Sequence, residues 1–411
     1  MSRVNKIETI QDPSVKKHHF SIIEMSVYLL MICFLVVSMP QSDSMYWVSR
    51  IIQFVEVVCF LYLGALYITK SKIKQPIIHN LIHLYWLVMV FMSFTTLPNM
   101  QFTECFQWMN VCIFLFFSKT YWQRDMAGSM HIMAVVLSLL CYLNAMLYIM
   151  FPDGLWYDFQ WKGTGDPRRY LFGNYNATGM VILLALLVQG IYVLLTNKGK
   201  WNMLFLICVG VLTVWQMGSM TSTIGLAILG FYFIFRRMIK HPFAWISLFF
   251  FCYISFFVLV VYLGNSIEGV GMLTEFVENI LSKDTSFSNR TDLWFASIQQ
   301  IIQSPWIGYG PQGIDWMVSH IGGSGPHNLL LMILLQGGLL LLSIFVGIVF
   351  SVFRVLYKQN SPVANFVAVA VCVLLLMSLF ETYNIVIIFV FLIIAYSIVY
   401  EKGTTEIEKY K

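Results

Sequence analysis

Long apolar segments recur along the whole chain, separated by shorter polar ones. Each is close to the roughly 20 residues that a helix needs to cross the hydrocarbon core of a bilayer. The pattern therefore predicts an all-α polytopic membrane protein with about twelve transmembrane helices. The predicted spans are 20–39, 50–69, 77–97, 101–118, 128–151, 177–196, 201–217, 220–235, 243–264, 327–353, 361–380 and 384–400.

The polar segments between the spans divide the chain into three predicted regions. Residues 1–264 would hold spans one to nine and an outer loop at 152–176. Residues 265–326 would form a long outer loop, and residues 327–411 the last three spans and a cytoplasmic tail. The long loop has no counterpart in the first half of the chain, which disfavours a transporter built from inverted repeats.

Composition supports a membrane protein and excludes a nucleic-acid-binding one. The chain is 59% hydrophobic and 11% charged, whereas soluble domains carry roughly 25% charged residues. All eight cysteines lie in apolar spans without a CxxC motif, so we expect small buried side chains and no disulfides. His79 and His83 are four residues apart but lack carboxylate or cysteine partners, so the sequence predicts no metal site.

The distribution of lysine and arginine predicts the orientation of the protein. With the N-terminus inside, every inner segment carries at least two basic residues, and 19 of the 25 are inside. We therefore expect a multi-pass membrane protein with both termini in the cytoplasm. The basic residues left on the outer side are Arg50, Lys162, Arg168, Arg169, Lys283 and Arg290.

The long outer loop contains one predicted amphipathic helix. Asn289 is a candidate cap, Pro305 would end the helix, and Leu293, Trp294 and Ile298 lie on its apolar face. Such a helix is expected to lie at the membrane surface. A glycine-rich stretch, predicted to be flexible, then leads to His327. Gly338 follows eleven residues later, so both would face the same side of a continuous helix.

Arginines and a histidine on the outer side suit one kind of chemistry. Guanidinium groups bind phosphate oxygens bidentately, and a neutral histidine can accept a proton near pH 7. Together they favour a lipid diphosphate substrate whose sugar is transferred at the outer surface. Contact with lipid headgroups by the arginines, and a simple capping role for His327, are the alternatives. Glu381, near a span end, is expected to be solvated, and Trp306 could belong to an interfacial belt or stack on sugars.

Four segments resemble motifs of the O-antigen ligase and polysaccharide polymerase superfamily. They are RYLFGNYN at 169–176, NRTDLW at 289–294, SPWIGYG at 304–310, and His327-Asn328 followed by Gly337-Gly338. The segments occur in the family's order, in the two outer loops and the following span. The resemblance in motifs covers residues 165–340.

The resemblance implies a metal-independent glycosyltransferase of the GT-C-like helical type, without a cofactor, in the bacterial cell (inner) membrane. Its substrate would be an undecaprenyl-diphosphate-linked oligosaccharide, with membrane lipids and a chain-length regulator and flippase as further partners. Arg169 and Arg290 would hold the diphosphate, and His327 would act as general base. The further candidate substrate-binding residues are Arg168, Asn174, Asn176, Asn328, Trp294 and Tyr309.

One segment departs from the family pattern. Many members carry a Ser-Arg pair after the seventh span, where this chain has GSMTST at 218–223 and no arginine. Fewer arginines could hold the donor, or Arg168 or Lys162 could substitute. The departure favours a Wzy-type polymerase of O-antigen, capsule or exopolysaccharide repeat units. The alternatives are an O-antigen ligase that transfers the glycan to a lipid A core, as in lipopolysaccharide, and a glycolipid flippase or transporter.

Overall fold

The computed structural model describes residues 21–38, 46–70, 76–95, 103–157, 168–239, 242–262 and 288–398. Each of the twelve predicted spans contains a helix in this part of the chain. They are α1 (Ile22–Val36), α2 (Tyr46–Lys70), α3 (Ile77–Thr95), α4 (Thr103–Phe117), α5 (Met126–Met150), α6 (Tyr175–Thr196), α7 (Lys200–Gln216), α8 (Met220–Phe235), α9 (Pro242–Phe256), α12 (Leu329–Gln359), α13 (Pro362–Phe380) and α14 (Ile385–Ser397), with α10 (Ser288–Gln303) and α11 (Ile314–Ile321) between α9 and α12.

Length and composition of these helices confirm the predicted all-α polytopic membrane fold. Within the described ranges, six helices are long and apolar enough to cross a membrane, and four shorter apolar helices accompany them. Helices α4 and α9 each continue into a π-helical turn, at Ser118–Trp122 and Phe257–Tyr262. The described β-structure is a two-stranded antiparallel hairpin of β1 (Trp156–Tyr157) and β2 (Arg168–Arg169).

Three helices form the centre of the bundle. Helices α6, α13 and α14 are buried on almost every side, as expected for helices that are apolar all round. Helix α9 instead exposes large apolar side chains such as Trp245 and Phe251, which suits contact with lipid. Among the cysteines, Cys208 and Cys252 are also exposed, so the expectation of uniformly buried cysteines was wrong for these two.

The turn between α7 and α8 is as short as the sequence suggested. Gly218 has φ of 82°, a left-handed conformation that glycine adopts without steric cost. Ser219 is the N-cap residue of α8. The chain therefore reverses direction within a few residues and returns α8 alongside α7.

Helix α12 is interrupted, contrary to the continuous helix expected from the sequence. Gly337 and Gly338 have non-helical backbone angles, with φ of 59° and ψ of −157° at Gly338. Because His327 lies before the first helical residue and the break lies between it and the rest of α12, helical periodicity does not place His327 and Gly338 on one face. The prediction of a shared face was therefore wrong.

The loop at 304–310 fills the break in α12. Tyr309 N donates to Leu335 O at 2.7 Å, and Leu339 N donates to Pro305 O at 2.8 Å. A Cβ atom on Gly338 would lie 2.3 Å from the carbonyl carbon of Trp306. The glycine pair thus lets a loop, and not a neighbouring helix, approach the backbone and bond the groups that the break exposes.

Two further expectations about the outer loop need correction. The glycine-rich stretch contains the short helix α11, which the sequence reading treated as flexible chain. Helix α10 begins at Ser288, so Asn289 lies inside its first turn and is not its cap. The predicted outer cations Lys162 and Lys283 lie outside the described residues.

Candidate functional site

A buried carboxylate, Glu381, is the centre of a polar cluster at one end of the bundle. It lies directly after α13 and is 5% exposed. His327 Nδ1 lies 2.7 Å from Oε1 of Glu381, and Arg290 Nη2 lies 3.5 Å from Oε2. Asn176 Nδ2 also donates to Oε2, and the backbone N–H of Thr382 donates to Oε1 at 3.1 Å. The expectation that Glu381 is solvated was therefore wrong.

Each member of the cluster comes from a different helix end. Asn176 is in the first turn of α6, Arg290 is in the first turn of α10, and His327 precedes α12. The ends of helices carry backbone groups that cannot bond within the helix, so the chain places polar side chains there. Folding thus assembles a site from segments that are more than two hundred residues apart in sequence.

His327 is held in an uncommon backbone conformation. Its φ is 47°, in the left-handed region that costs a non-glycine residue roughly 1–2 kcal/mol. The next residue, Asn328, caps α12 by accepting from Leu331 N at 3.1 Å, and its Nδ2 donates to Leu379 O at 2.9 Å. Asn328 is fully buried and ties the start of α12 to the end of α13. The position of Asn328 therefore supports a role in fixing the orientation of the His327 side chain.

The hydrogen bond to Glu381 defines the available tautomer of His327. An ionised carboxylate only accepts hydrogen bonds, so the proton lies on Nδ1 of the imidazole when Glu381 is charged. The lone pair of Nε2 is then left for another proton. This arrangement resembles the acid–histidine pair of many hydrolases, in which the carboxylate orients the ring and stabilises the imidazolium.

A chain of hydroxyl and amide groups supports the carboxylate from the bundle side. Ser219 Oγ donates to Asn176 Oδ1 at 3.1 Å and lies 2.8 Å from Ser222 Oγ. Ser219 and Ser222 belong to the segment in which many family members would carry a Ser-Arg pair. In this protein that segment contacts the Glu381 cluster through Asn176, without a cation of its own.

Tyr383 completes the buried side of the cluster. It lies in the turn between α13 and α14, and its side chain is buried. Burial raises the pKa of its hydroxyl, the Glu381 carboxylate raises it further, and Ser222 and Arg290 oppose the shift. Tyr383 therefore remains a neutral phenol beside the carboxylate across the physiological pH range.

The β-hairpin separates the two neighbouring arginines. Arg168 is exposed and donates to Pro152 O at 2.9 Å, whereas Arg169 is 7% exposed and donates to the carbonyl of Arg168. Adjacent residues of a strand point to opposite faces. The side chain of Asn174 accepts from Ala177 N at 2.8 Å and caps α6.

Trp294 and Tyr309 take part in packing of the outer layer. Trp294 is 1% exposed and packs with Val261, Ile298 and Leu331. The hydroxyl of Tyr309 donates to Gln300 O at 3.0 Å. Both side chains therefore have packing or hydrogen-bond partners within the protein, and their proposed contacts with substrate stay a prediction.

No group of three or more histidine, cysteine or acidic side chains in the described part of the chain could hold a metal ion. His83 Nδ1 accepts from Trp108 Nε1 at 3.2 Å. Glu56, an acidic residue within α2, lies 3.4 Å from Asn110 Nδ2. That contact lies within the bundle and involves none of the residues around Glu381.

The fold and the cluster together define a multi-pass membrane protein with a carboxylate–histidine–arginine site where helix ends meet. Residues 202–346 match the family model described as O-antigen ligase, and this match supports membership of the O-antigen ligase and polymerase superfamily. The match contains three of the four motifs and thereby confirms the resemblance there, whereas the segment at 169–176 lies outside it. No curated protein sequence matches the chain.

The matched range contains some of the site and not all of it. Ser219, Arg290 and His327 lie inside it, whereas Asn176 and Glu381 lie outside. The family supports a function in surface polysaccharide synthesis, and its members are glycosyltransferase-like enzymes. It also implies lipid-linked glycan substrates.

Proposed function

We propose that this protein is a polymerase that joins undecaprenyl-diphosphate-linked repeat units of a bacterial surface polysaccharide at the outer leaflet. The observation that carries the proposal is the 2.7 Å contact between His327 Nδ1 and a buried Glu381 that also pairs with Arg290. This contact supports a cluster in which His327 is the general base and Arg290 is the ligand of the substrate phosphate. The motif resemblance supplies the substrate class.

His327 would act as the general base. Nε2 takes the proton of an acceptor hydroxyl as its oxygen attacks C1 of the donor sugar. The bond between C1 and the diphosphate oxygen breaks, the lipid diphosphate leaves, and the proton stays on His327, whose positive charge Glu381 stabilises. General base catalysis of this kind contributes roughly 10²–10⁴-fold.

Arg290 would bind the diphosphate of the donor. Its side chain is 20% exposed, and a guanidinium has five N–H donors, so contact with Glu381 leaves others for phosphate oxygens. Charge that develops on the leaving diphosphate would be stabilised by this fixed cation, so the proposed chemistry is metal-independent. Arg169 is the second proposed ligand, and because it is buried, the melting temperature of an Arg169 variant must be measured together with its donor binding.

A gel of products formed from one lipid-linked repeat unit tests the proposal. Purified protein given that substrate alone should produce a ladder of increasing length, and His327→Ala should produce none while remaining folded and inserted. The matched control is His320→Ala, because His320 is exposed on α11 and stacks on Trp316. A ladder of normal intensity from His327→Ala would refute the assignment of the base.

A ligase is the second candidate, because the matched family model is described by that activity. The missing Ser-Arg pair favours the polymerase. Product that forms only after a lipid A core acceptor is added would assign the ligase instead. If the protein were a flippase or transporter, no product would form with or without the lipid A core acceptor, and His327→Ala would not change glycolipid movement.

A further inference from the structure

An apolar groove reaches the ends of α8 and α9 that lie away from Glu381, and along α13 it extends to Leu376, five residues before Glu381. It has a volume of about 660 Å³ and lies between α8, α9 and α13. We call it the basal groove; its lining includes Ile228, Tyr232, Met238, Trp245, Phe249 and Cys372. Its wall is almost entirely hydrocarbon and aromatic, so water is a poor occupant.

The length of the basal groove matches one leaflet of a bilayer. Its lining on α8 and the following turn extends from Ile228 to Met238, about 15 Å at helical rise. That is half of a hydrocarbon core roughly 30 Å thick. Helix α8 begins next to the candidate site at Ser219, and its C-terminal end lies about 24 Å away. The groove lining includes that C-terminal end, so the groove opens on the opposite side of the bundle. The lysine and arginine distribution predicts that side to be cytoplasmic.

Two arginines are next in sequence to residues that line the basal groove. Arg236 and Arg237 directly precede the lining residues Met238 and Ile239. The guanidinium carbon of Arg236 lies 4.4 Å from the centre of the Phe233 ring. Burial lowers the pKa of Arg236, and the neighbouring charge of Arg237 lowers it further. No ion pair with an acidic side chain neutralises either arginine among the described residues.

We propose that the basal groove binds an anionic phospholipid of the membrane, with one acyl chain in the groove and the phosphate held between Arg236 and Arg237. Each buried methylene contributes about 0.8 kcal/mol, and the phosphate relieves the repulsion between two unneutralised cations. A zwitterionic lipid offers the same chain, but its own ammonium group competes for the phosphate. The proposal thus predicts selectivity for net negative headgroups.

Bound lipid would connect helices that also carry the candidate site. Helix α13 lines the groove from Val369 to Leu376 and ends just before Glu381. Gly225 of α8 is packed so closely on α13 that an added Cβ would lie 2.7 Å from the sulfur of Met377. Occupancy should therefore stabilise the α8–α13 contact without contacting the site itself.

Native mass spectrometry and thermal unfolding of the delipidated full-length protein test the proposal. Phosphatidylglycerol should remain bound and raise the melting temperature, whereas phosphatidylcholine should do neither. The double variant Arg236→Gln, Arg237→Gln should bind phosphatidylglycerol about tenfold or more weakly, because it loses charged hydrogen bonds to phosphate. The control is Lys198→Gln with Lys200→Gln, two exposed cations of the α6–α7 turn.

Fluorescence quenching tests where the acyl chain lies. Phosphatidylglycerol with brominated chains should quench the wild type more than Trp245→Phe, and the difference should vanish in the double arginine variant. Equal binding of both phospholipids, unchanged affinity in the double variant, or no quenching of Trp245 would each overturn the proposal. Displacement of phosphatidylglycerol by a polyprenyl phosphate would assign the groove to the carrier lipid instead.

Discussion

Replacing Glu381 with glutamine should slow glycan transfer strongly while leaving the fold intact. The amide has nearly the shape of the carboxylate and can still accept a hydrogen bond from His327 Nδ1. What it lacks is the negative charge that faces the imidazolium formed during the reaction. Glu381→Gln therefore separates electrostatic stabilisation from the mere presence of a polar side chain.

The size of the effect follows from the geometry. Unit charges 2.7 Å apart interact by about 6 kcal/mol at an effective dielectric constant of roughly 20. The charge of an imidazolium is spread over its ring and the site is partly open, so we expect about half of that to be lost. A loss of about 3 kcal/mol corresponds to a rate roughly 10²-fold lower.

The assay is the initial rate of ladder formation, with the melting temperature measured on the same preparations. Glu381→Asp keeps the charge at a greater distance and should fall between wild type and Glu381→Gln. The matched control is Glu104→Gln, because Glu104 is another buried carboxylate near a helix end. If Glu381→Gln turned over at the wild-type rate while His327→Ala was inactive, the electrostatic stabilisation of the imidazolium by Glu381 would be wrong.

Three further substitutions test other parts of the structure. Gly338→Ala should lower the free energy of unfolding by at least about 1–3 kcal/mol, because the backbone angles of Gly338 are accessible essentially only to glycine. The control is Gly347→Ala, which should leave the thermal melt unchanged because its added Cβ would contact Leu81 at 3.8 Å. Arg290→Lys should raise the KM for the lipid-linked donor, since an ammonium cannot bind phosphate bidentately, and Arg168→Gln should not; equal KM values would contradict the phosphate role. Trp306 is 71% exposed, and its replacement by alanine should weaken glycan binding if it stacks on sugar; unchanged product lengths and rates would leave it as an interfacial residue.

The apolar spans were predictable because membrane insertion imposes a length and composition that few other structures share. Even the two spans that only Gly218 and Ser219 separate proved to be two helices. Helix α11 was missed because its eight residues are flanked by Gly313 and Gly322, and local glycine content outweighed a short amphipathic pattern. The break in α12 was also missed, although two adjacent glycines are costly in a helix interior.

The site was only partly predictable. Arg290 and His327 stood out because cations and histidines on the outer side have few structural reasons to be there. Glu381 did not, because a carboxylate at the end of a span is usually solvated and sequence alone does not show what packs over it. The support from Ser219 and Asn176 depends on contacts between distant helix ends, which no local pattern encodes.

The break in α12 separates its first turns, which the 304–310 loop joins to α10, from the rest of the helix. Tyr309 joins α10 to the first turns of α12, so Arg290 and His327 belong to one outer cassette. Glu381 and Asn176 belong to the bundle beneath it. A chimera that swaps the cassette should therefore be cut at Gly337–Gly338 and not at the end of a predicted span. Its success would depend on whether the incoming base still meets the resident carboxylate.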